Sequence, residues 1–224
     1  VTTAASAQAA EKRRMAYELF GLGMGIVDSP ADQFVLLKKS METAAEAGET
    51  ALAFRAADQL AERFEFDPLP AKRQILAAIA PAANDSSKIK QFVEFAELVI
   101  DSALAQSRFD AATEVAAAAN SVCQRAQGKA FRKAVRDRME EIPRLQSWWQ
   151  QHVRPALELL EEKPDDPDAN LTAGVWYALK LCDWERGLPY LARCGDSSLR
   201  SLAEQELNAP PHDPVEQIKL ADAW

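Results

Sequence analysis

The chain has 224 residues, 48% of them hydrophobic, and carries 34 acidic against 26 basic residues, a formal net charge of −8. This balance disfavours nonspecific binding to nucleic acid, because the neutralisation of phosphates needs clustered Lys and Arg. The apolar stretches are far shorter than the roughly 20 residues that cross a bilayer, so we expect a soluble protein that does not insert into membranes.

Helix is the secondary structure that the composition favours. The chain has only 8 glycines, is rich in Ala, the strongest helix former, and lacks the alternating β-branched runs that form a sheet. We therefore predict an all-α fold.

Both ends of the chain indicate a piece of a longer protein. The chain begins at Val1 and ends at Trp224 within a helical pattern. Its first ten residues include small ones of the kind that flank a signal-peptidase site, although no charged or apolar leader segment precedes them. We expect a segment truncated at its C-terminus, from a protein that is exported or in the cell envelope, or otherwise cytoplasmic.

The glycines at residues 21–25 invite comparison with a phosphate-binding loop. A dinucleotide fingerprint needs G-x-G-x-x-G spacing after a strand, whereas here the spacing is G-x-G-x-G after a helical pattern. We interpret this segment as a helix end that lets another helix approach closely.

Capping residues and prolines divide the chain at regular intervals. A Ser or Asp that can accept a backbone N–H of the first helical turn stands before a proline, which suits the first helical position. The four capping positions are Ser29, Asp67, Asp166 and Asp213. Gly48 and Gly128 fall where helices should end. Between these marks apolar residues recur every three or four positions, as from Ile89 to Ala103, which predicts about nine or ten helices with antiparallel neighbours.

Residues 129–163 show a seven-residue period instead. One row is Val135, Ile142, Trp149 and Ala156, and the other is Met139, Gln146, Val153 and Leu160. Such rows form a coiled-coil-like seam. The seam runs through Pro143 and Pro155, and each proline should kink or split the helix. We predict one long bent helix, or two in line, in the middle of the chain.

The segment 164–194 resembles a tetratricopeptide (TPR) unit. Gly174 and Tyr177 have the spacing of that family's first helix, ten residues after a closing proline, Pro164. The packing positions of the second helix are Gly187, Leu191 and Cys194. The distance from Gly174 to the second helix is one residue longer than in the family. The resemblance implies antiparallel helical hairpins stacked as an α-solenoid.

The last quarter of the chain also resembles an uncharacterised helical domain that recurs in planctomycete bacterial proteins. The matching stretches are 169–174, 183–192, 199–204 and 221–224. This resemblance implies a helical module inside a larger, often exported, bacterial polypeptide, and it brings no catalytic residues. We therefore predict a TPR-like α-solenoid with an N-terminal hairpin array at 1–128, a linking helix at 129–163 and TPR-like helices at 164–224.

The residue types that carry chemistry are sparse and scattered. His152 and His212 have no metal-ligating partner at a suitable spacing, and the acidic run 161–168 lacks the glycine and the final Glu of a calcium loop. The three cysteines, Cys123, Cys182 and Cys194, form no disulfide framework, and we expect them to be buried free thiols. We predict no catalytic, cofactor or metal site.

Two features are candidates for binding a partner. Five basic residues just ahead of the seam form a patch that could dock an acidic partner: Lys129, Arg132, Lys133, Arg136 and Arg138. The alternative is a solvated helix face. Trp148 points about 100° away from Trp149, which belongs to the seam. Trp148 therefore packs against another helix, the interpretation we favour, or stays exposed for an interface.

The sequence thus favours a noncatalytic module for protein–protein interaction or scaffolding, with a protein or peptide partner. The alternative is a structural spacer, or a segment that forms a homodimer through the long helix. An enzyme would need paired buried acids, for which the sequence offers no convincing candidates.

Overall fold

The computed structural model describes residues 2–125, 129–208 and 213–224, with side chains from residue 7 in the first range and from residue 130 in the second. The helices are α1 (Thr2–Gly25), α2 (Pro30–Glu46), α3 (Thr50–Arg63), α4 (Pro68–Ile79), α5 (Ser86–Ala105), α6 (Phe109–Arg125), α7 (Lys129–Trp148), α8 (Arg154–Glu162), α9 (Pro167–Gly174), α10 (Trp184–Leu191), α11 (Ser197–Asn208) and α12 (Pro214–Ala223). A 3-10 turn follows α4 at Ala80–Ala82. π-helical turns follow α7 at Trp149–Val153 and α9 at Val175–Lys180.

The described residues contain helices and no strand, which confirms the all-α prediction. Because α7 and α8 are joined through a π-helical turn, these residues hold eleven continuous helices, rather than the nine or ten expected. The helices α10, α11 and α12 have only 8, 12 and 10 residues. Two or three helical turns give a weak apolar period, so short helices are hard to count from sequence.

The predicted helix starts form as expected. The side chain of Asp67 accepts the backbone N–H of Leu69 at 3.0 Å, and that of Asp166 accepts the N–H of Ala169 at 3.0 Å. The side chains of Ser29 and Asp213 cap α2 and α12 in the same way. Gly48 follows α2 with a φ of +76°, the left-handed conformation typical of a helix C-terminus. Gly128 lies outside the described residues.

The chain divides into two compact units. Unit 1 comprises Val1–Ala103 and Asp110–Met139, and unit 2 comprises Leu104–Phe109 and Glu140–Trp224. All five tryptophans stand at position 148 or later and therefore belong to unit 2. Tryptophan fluorescence consequently reports on unit 2 alone.

In unit 1, α1 and α2 approach closely because Gly23 has no side chain. A Cβ atom on Gly23 would lie 3.1 Å from Leu37 Cγ. Two buried polar side chains of α2 hold the pair together, since Gln33 Nε2 donates to the carbonyl of Gly23 at 3.1 Å and Ser40 Oγ donates to that of Ala16 at 2.8 Å. The interpretation of the glycine-rich segment as a helix end that admits a neighbour is confirmed.

The core of unit 1 is built from one apolar face on each of the helices α2 to α6. The predicted apolar row of α5, from Ile89 to Ala103, is buried along its whole length. Its neighbour α6 contributes Ala112, Ala116 and Ala119, each at most 2% exposed. Alanines on a buried face let neighbouring backbones come close, so the high alanine content serves packing as well as helix propensity.

The segment from Lys129 to Glu162 is helical without a break, through both Pro143 and Pro155. Before Pro155 the helix widens into the π-helical turn, where the N–H of Arg154 donates to the carbonyl of Trp149, five residues back. A proline at position 155 has no N–H for the ordinary i to i−4 bond. The wide turn accommodates that loss, so Pro155 does not end the helix, and α7 also continues through Pro143. Of the seven-residue rows within unit 2, Ile142, Val153 and Ala156 are buried.

The turn of unit 2 that brings α9 and α10 together depends on two glycines. A Cβ on Gly174 would lie 2.5 Å from Leu191 Cδ2, and one on Gly187 would lie 2.4 Å from the backbone nitrogen of Ala178. The second contact is with backbone, which cannot move aside as a flexible side chain can. The π-helical turn and α10 therefore touch almost backbone to backbone.

Tyr177 lies beside this contact and is 2% exposed. Its ring is 5.8 Å from that of Tyr190, and the guanidinium carbon of Arg186 lies 4.0 Å from the ring centroid. Burial raises the pKa of the Tyr177 phenol, and the Arg186 charge offsets this only in part. Tyr177 is therefore a neutral packing residue at physiological pH.

The expectation of three buried thiols is correct for Cys123 and Cys194 and wrong for Cys182, which is exposed. Cys182 lies in the tight connection between the π-helical turn and α10 and has a φ of +55°. This conformation turns the chain abruptly at a residue that is not glycine. All three cysteines are free.

We expect Gly187→Ala to destabilise unit 2, because the new methyl group would collide with the backbone at Ala178. Overpacking of this kind costs about 1–3 kcal/mol, more than the gain of up to about 1 kcal/mol in helix propensity. The matched control is Gly21→Ala in α1, where nothing lies within 4 Å of the added atom. It should raise the free energy of unfolding. Urea unfolding followed by circular dichroism and tryptophan fluorescence measures both, and an unchanged or raised stability of Gly187→Ala would contradict the close packing.

We expect one fast-reacting thiol in the native protein, that of Cys182. Burial raises the pKa of Cys123, and Cys194 is fully buried, so both should react with Ellman's reagent only when the protein unfolds. Stopped-flow mixing at about pH 8 should show a fast phase that Cys182→Ser removes and Cys123→Ser leaves intact. Two or more fast thiols in the wild type would show that the burial of Cys123 or Cys194 is incorrect.

Candidate functional site

The predicted basic patch lies on α7 in unit 1, and several of its charges already have local partners. Lys133 forms an ion pair with Asp137. Arg132 donates to the carbonyls of Cys123 and Gln124 at 3.4 and 3.3 Å, where it caps the end of α6. Arg136 is exposed, and the side chain of Lys129 lies outside the described residues. The patch stays a prediction, and its members also have structural roles.

Arg138 of the same patch is held more firmly. Its guanidinium reaches two carboxylates of α5, with Nε 3.2 Å from Glu97 and a second contact to Asp101. The Arg138 side chain is 19% exposed. This pairing removes one positive charge from the patch and fixes α7 against α5.

Trp148 lies in unit 2 and is half-buried. Its ring stacks on that of Trp176, with centroids 5.5 Å apart and an interplanar angle of 23°. The ring of His152 lies 5.5 Å away on the same helix. This geometry agrees with the packing interpretation favoured from the sequence. Trp176 is fully buried, so the stacked pair is part of the core of unit 2.

The histidines and the acidic run show no metal-binding arrangement in the part of the chain that the structure describes. No group of three potential ligands is present there. His152 is exposed, and Asp166 of the acidic run caps α9. His212 lies outside the described residues. Within the same residues no helix has the length and apolar character needed to cross a bilayer.

The feature of unit 2 best suited to binding is a groove of about 380 Å³ formed by α10, α11 and α12, which we name the aromatic groove. Its lining residues are Trp184, Leu188, Glu206, Gln217, Leu220, Ala221 and Trp224. Two of the helices that form its walls, α10 and α12, begin at a capping Asp. Asp183 accepts the N–H of Arg186 and begins α10, and Asp213 begins α12.

Two tryptophans dominate the aromatic groove. The rings of Trp184 and Trp224 meet edge to face, with centroids 4.9 Å apart and an interplanar angle of 69°. Trp184 is 38% exposed, an unusual state for so large an apolar ring. Leu188 and Leu220 are 7% and 6% exposed and form the apolar floor. The groove therefore offers aromatic surface to solvent over a buried aliphatic base.

Glu206 supplies the charge of the aromatic groove. The indole N–H of Trp224 donates to its Oε2 at 3.4 Å, a long hydrogen bond that leaves most of the carboxylate available. No basic side chain pairs with Glu206 among the described residues. The groove thus combines an apolar floor, two indole rings and one carboxylate without a counter-ion. This set suits the binding of a ligand.

Unit 1 has a groove of similar size, about 410 Å³, between α4 and α6. Arg73 of α4 and Glu114 of α6 both line it and form an ion pair with each other. The charges of that groove therefore satisfy one another within the protein. A smaller hollow of about 190 Å³ lies near Gly48 and Phe92, where Lys88 pairs with Asp85 at 3.2 Å. Of these three cavities, the aromatic groove is the one with an unpaired charge.

The sequence did not single out the aromatic groove as a site. Trp184 and Trp224 are forty residues apart, and no sequence pattern indicates that they meet. The sequence feature that could have indicated the groove was a tryptophan directly after a capping Asp, at the start of a short helix (Asp183–Trp184). A tryptophan in the first turn of an eight-residue helix has few neighbours of its own helix to cover it.

Comparison of the chain with protein-family models, with curated proteins and with solved structures gives no match. The function must therefore be inferred from the residues and their geometry.

We expect Trp148→Ser to destabilise unit 2, because it removes the ring that stacks on Trp176. Loss of a fully buried aromatic ring costs about 3–5 kcal/mol, and a half-buried one should cost roughly half of that. Trp148→Phe retains an aromatic ring and should cost less. Urea unfolding monitored by the fluorescence of the remaining tryptophans measures the difference. Equal stability of Trp148→Ser and the wild type would show that Trp148 is available for a partner instead.

Proposed function

We propose that the chain is a noncatalytic helical-repeat module, a TPR-like α-solenoid segment of a larger bacterial protein, that binds a protein or peptide partner. The observation that carries this proposal is the aromatic groove, with two tryptophans and an unpaired carboxylate over an apolar floor. Tryptophan is among the residues most enriched at the energetic centres of protein interfaces.

The packing of α9 and α10 supports the TPR-like part of the proposal. In the family resemblance, small residues let the two helices of a hairpin close together. Of the glycines in unit 2, Gly174 and Gly187 make the closest approaches to neighbouring atoms. The resemblance's other packing positions, Leu191 at the end of α10 and Cys194 three residues after it, are fully buried. The first-helix aromatic, Tyr177, is buried as well.

The extra residue between Gly174 and the second helix also has a physical explanation. The segment Val175–Lys180 is a π-helical turn, in which the N–H of Leu181 donates to the carbonyl of Trp176, five residues back. A π-helical turn is in effect an α-helix with one inserted residue. The insertion is absorbed inside the first helix, so the positions before and after it can keep the family's packing roles.

The spacer or dimerisation alternative has less support. A dimer through the seven-residue rows needs those side chains to face a second copy. In unit 2, however, Ile142 and Val153 are 1% and 0% exposed, so their surface is already used within the chain. The exposed face of α7 carries charged residues such as Lys133 and Arg136. A dimer formed there would be sensitive to salt.

To test the proposal, we would pan a random peptide display library on the immobilised wild-type protein. We expect enrichment of peptides that bind the wild type, lose binding to Trp184→Ala and keep binding to Leu207→Ala. Leu207 is the matched control because it is an exposed apolar residue, 45% accessible, on α11 and outside the groove lining.

Light scattering after size-exclusion chromatography completes the test. A monomer that enriches no peptide would contradict the binding function and favour a spacer. A dimer that enriches no peptide would favour the dimerisation segment. Peptides that bind the wild type and Trp184→Ala equally would keep the interaction function but place it on another surface.

A further inference from the structure

The charges around the aromatic groove restrict the chemistry of its ligand. The helices α10, α11 and α12 contain three basic residues against five acidic ones: Arg186, Arg200 and Lys219 against Glu185, Glu204, Glu206, Glu216 and Asp222. Lys219 is paired with Glu216 at 2.7 Å. The chain as a whole has a net charge of −8. An anionic ligand would be repelled, whereas a cationic one would be attracted.

A neutral ligand that covered the groove would also be disfavoured. It would remove Glu206 from water without providing a positive charge, and burial of an unpaired carboxylate is costly. A cation avoids this cost because it pairs with the carboxylate as it covers it. The unpaired state of Glu206 therefore favours a positively charged group on the ligand.

The tryptophans further restrict which kind of cation the groove favours. A cation over an indole face gains a cation–π attraction, for which tryptophan is the best of the aromatic residues. A guanidinium is planar, so it stacks flat on an aromatic ring and binds a carboxylate through two parallel N–H groups. An ammonium is a compact point charge without this planar geometry. The apolar floor of Leu188 and Leu220 suits the aliphatic stem of a long side chain or an adjacent leucine.

On this basis, and resting on the interaction function proposed above, we propose that the aromatic groove binds an arginine side chain presented by an apolar peptide segment of a partner protein. The guanidinium pairs with Glu206 and stacks on Trp184, and the neighbouring apolar side chains cover the floor. The groove volume of about 380 Å³ is at the small end of ligand pockets, so it accommodates one or two side chains.

The probe is the peptide acetyl-Leu-Arg-Leu-amide, compared with the same peptide in which citrulline replaces arginine. Citrulline keeps the shape of arginine and removes its charge. We expect the arginine peptide to bind at least about tenfold more tightly, the difference expected for a charge-assisted pair. Titration followed through the indole N–H signals in NMR spectra gives both dissociation constants. The signals of Trp184 and Trp224 should shift, and high salt should reduce the difference.

Two substitutions at matched positions of α11 separate the groove from the general acidity of the chain. Glu206→Gln keeps the shape of the side chain and removes the charge, so the preference for arginine over citrulline should disappear. Glu204→Gln removes the same charge from an exposed residue outside the groove lining, and the preference should persist. Circular dichroism would establish that both variants are folded as the wild type is.

Three results would overturn the inference. Equal binding of the two peptides would exclude a role for the positive charge, and an arginine preference that survives in Glu206→Gln would place the cation elsewhere. Failure of the wild type to bind either peptide would exclude arginine as the recognised group. If library peptides still bind in a manner that depends on Trp184, the interaction function remains and only the ligand class is wrong. If they do not bind either, both proposals fail.

Discussion

The contact between Gly187 and Ala178 is the constraint on which the architecture of unit 2 depends. A side chain on Gly187 would place a carbon 2.4 Å from the backbone nitrogen of Ala178, so α10 can lie where it does only because residue 187 is glycine. The position of α10 in turn fixes Trp184 at its exposed first residue and Leu188 in its buried middle. The aromatic groove therefore depends on a packing contact that is itself remote from any ligand.

The core of unit 2 also contains polar atoms that lack a hydrogen-bond partner among the described residues. Among them are the buried indole nitrogens of Trp149 and Trp176. Each such group costs about 1–3 kcal/mol. The stacking of Trp148 on Trp176 and the contact of Phe109 with Trp149, at 5.8 Å between centroids, provide apolar and aromatic contacts that offset this cost. Unit 2 thus relies on ring packing more than on polar networks.

The features that the sequence predicted are local ones. The caps at Asp67 and Asp166 depend on atoms two or three residues apart, and the buried row of α5 depends on one helix period. Cys182 was misjudged because its exposure follows from a left-handed turn that no glycine marks. The aromatic groove arises from contacts between separate helices. A single-helix pattern contains no information about them, even though every residue of the groove is visible in the sequence.

Of the three cavities described above, the two larger ones differ in whether their carboxylate is paired with a basic side chain. In unit 1, Arg73 crosses from α4 to pair with Glu114 of α6, so that the groove already contains a guanidinium against a carboxylate on an apolar wall that includes Leu76. In unit 2, Glu206 lines the aromatic groove and has no such arginine among the described residues. An arginine from a partner would supply at Glu206 the pairing that Arg73 supplies at Glu114. The proposal of an arginine-bearing peptide ligand therefore has a precedent in the internal packing of this chain.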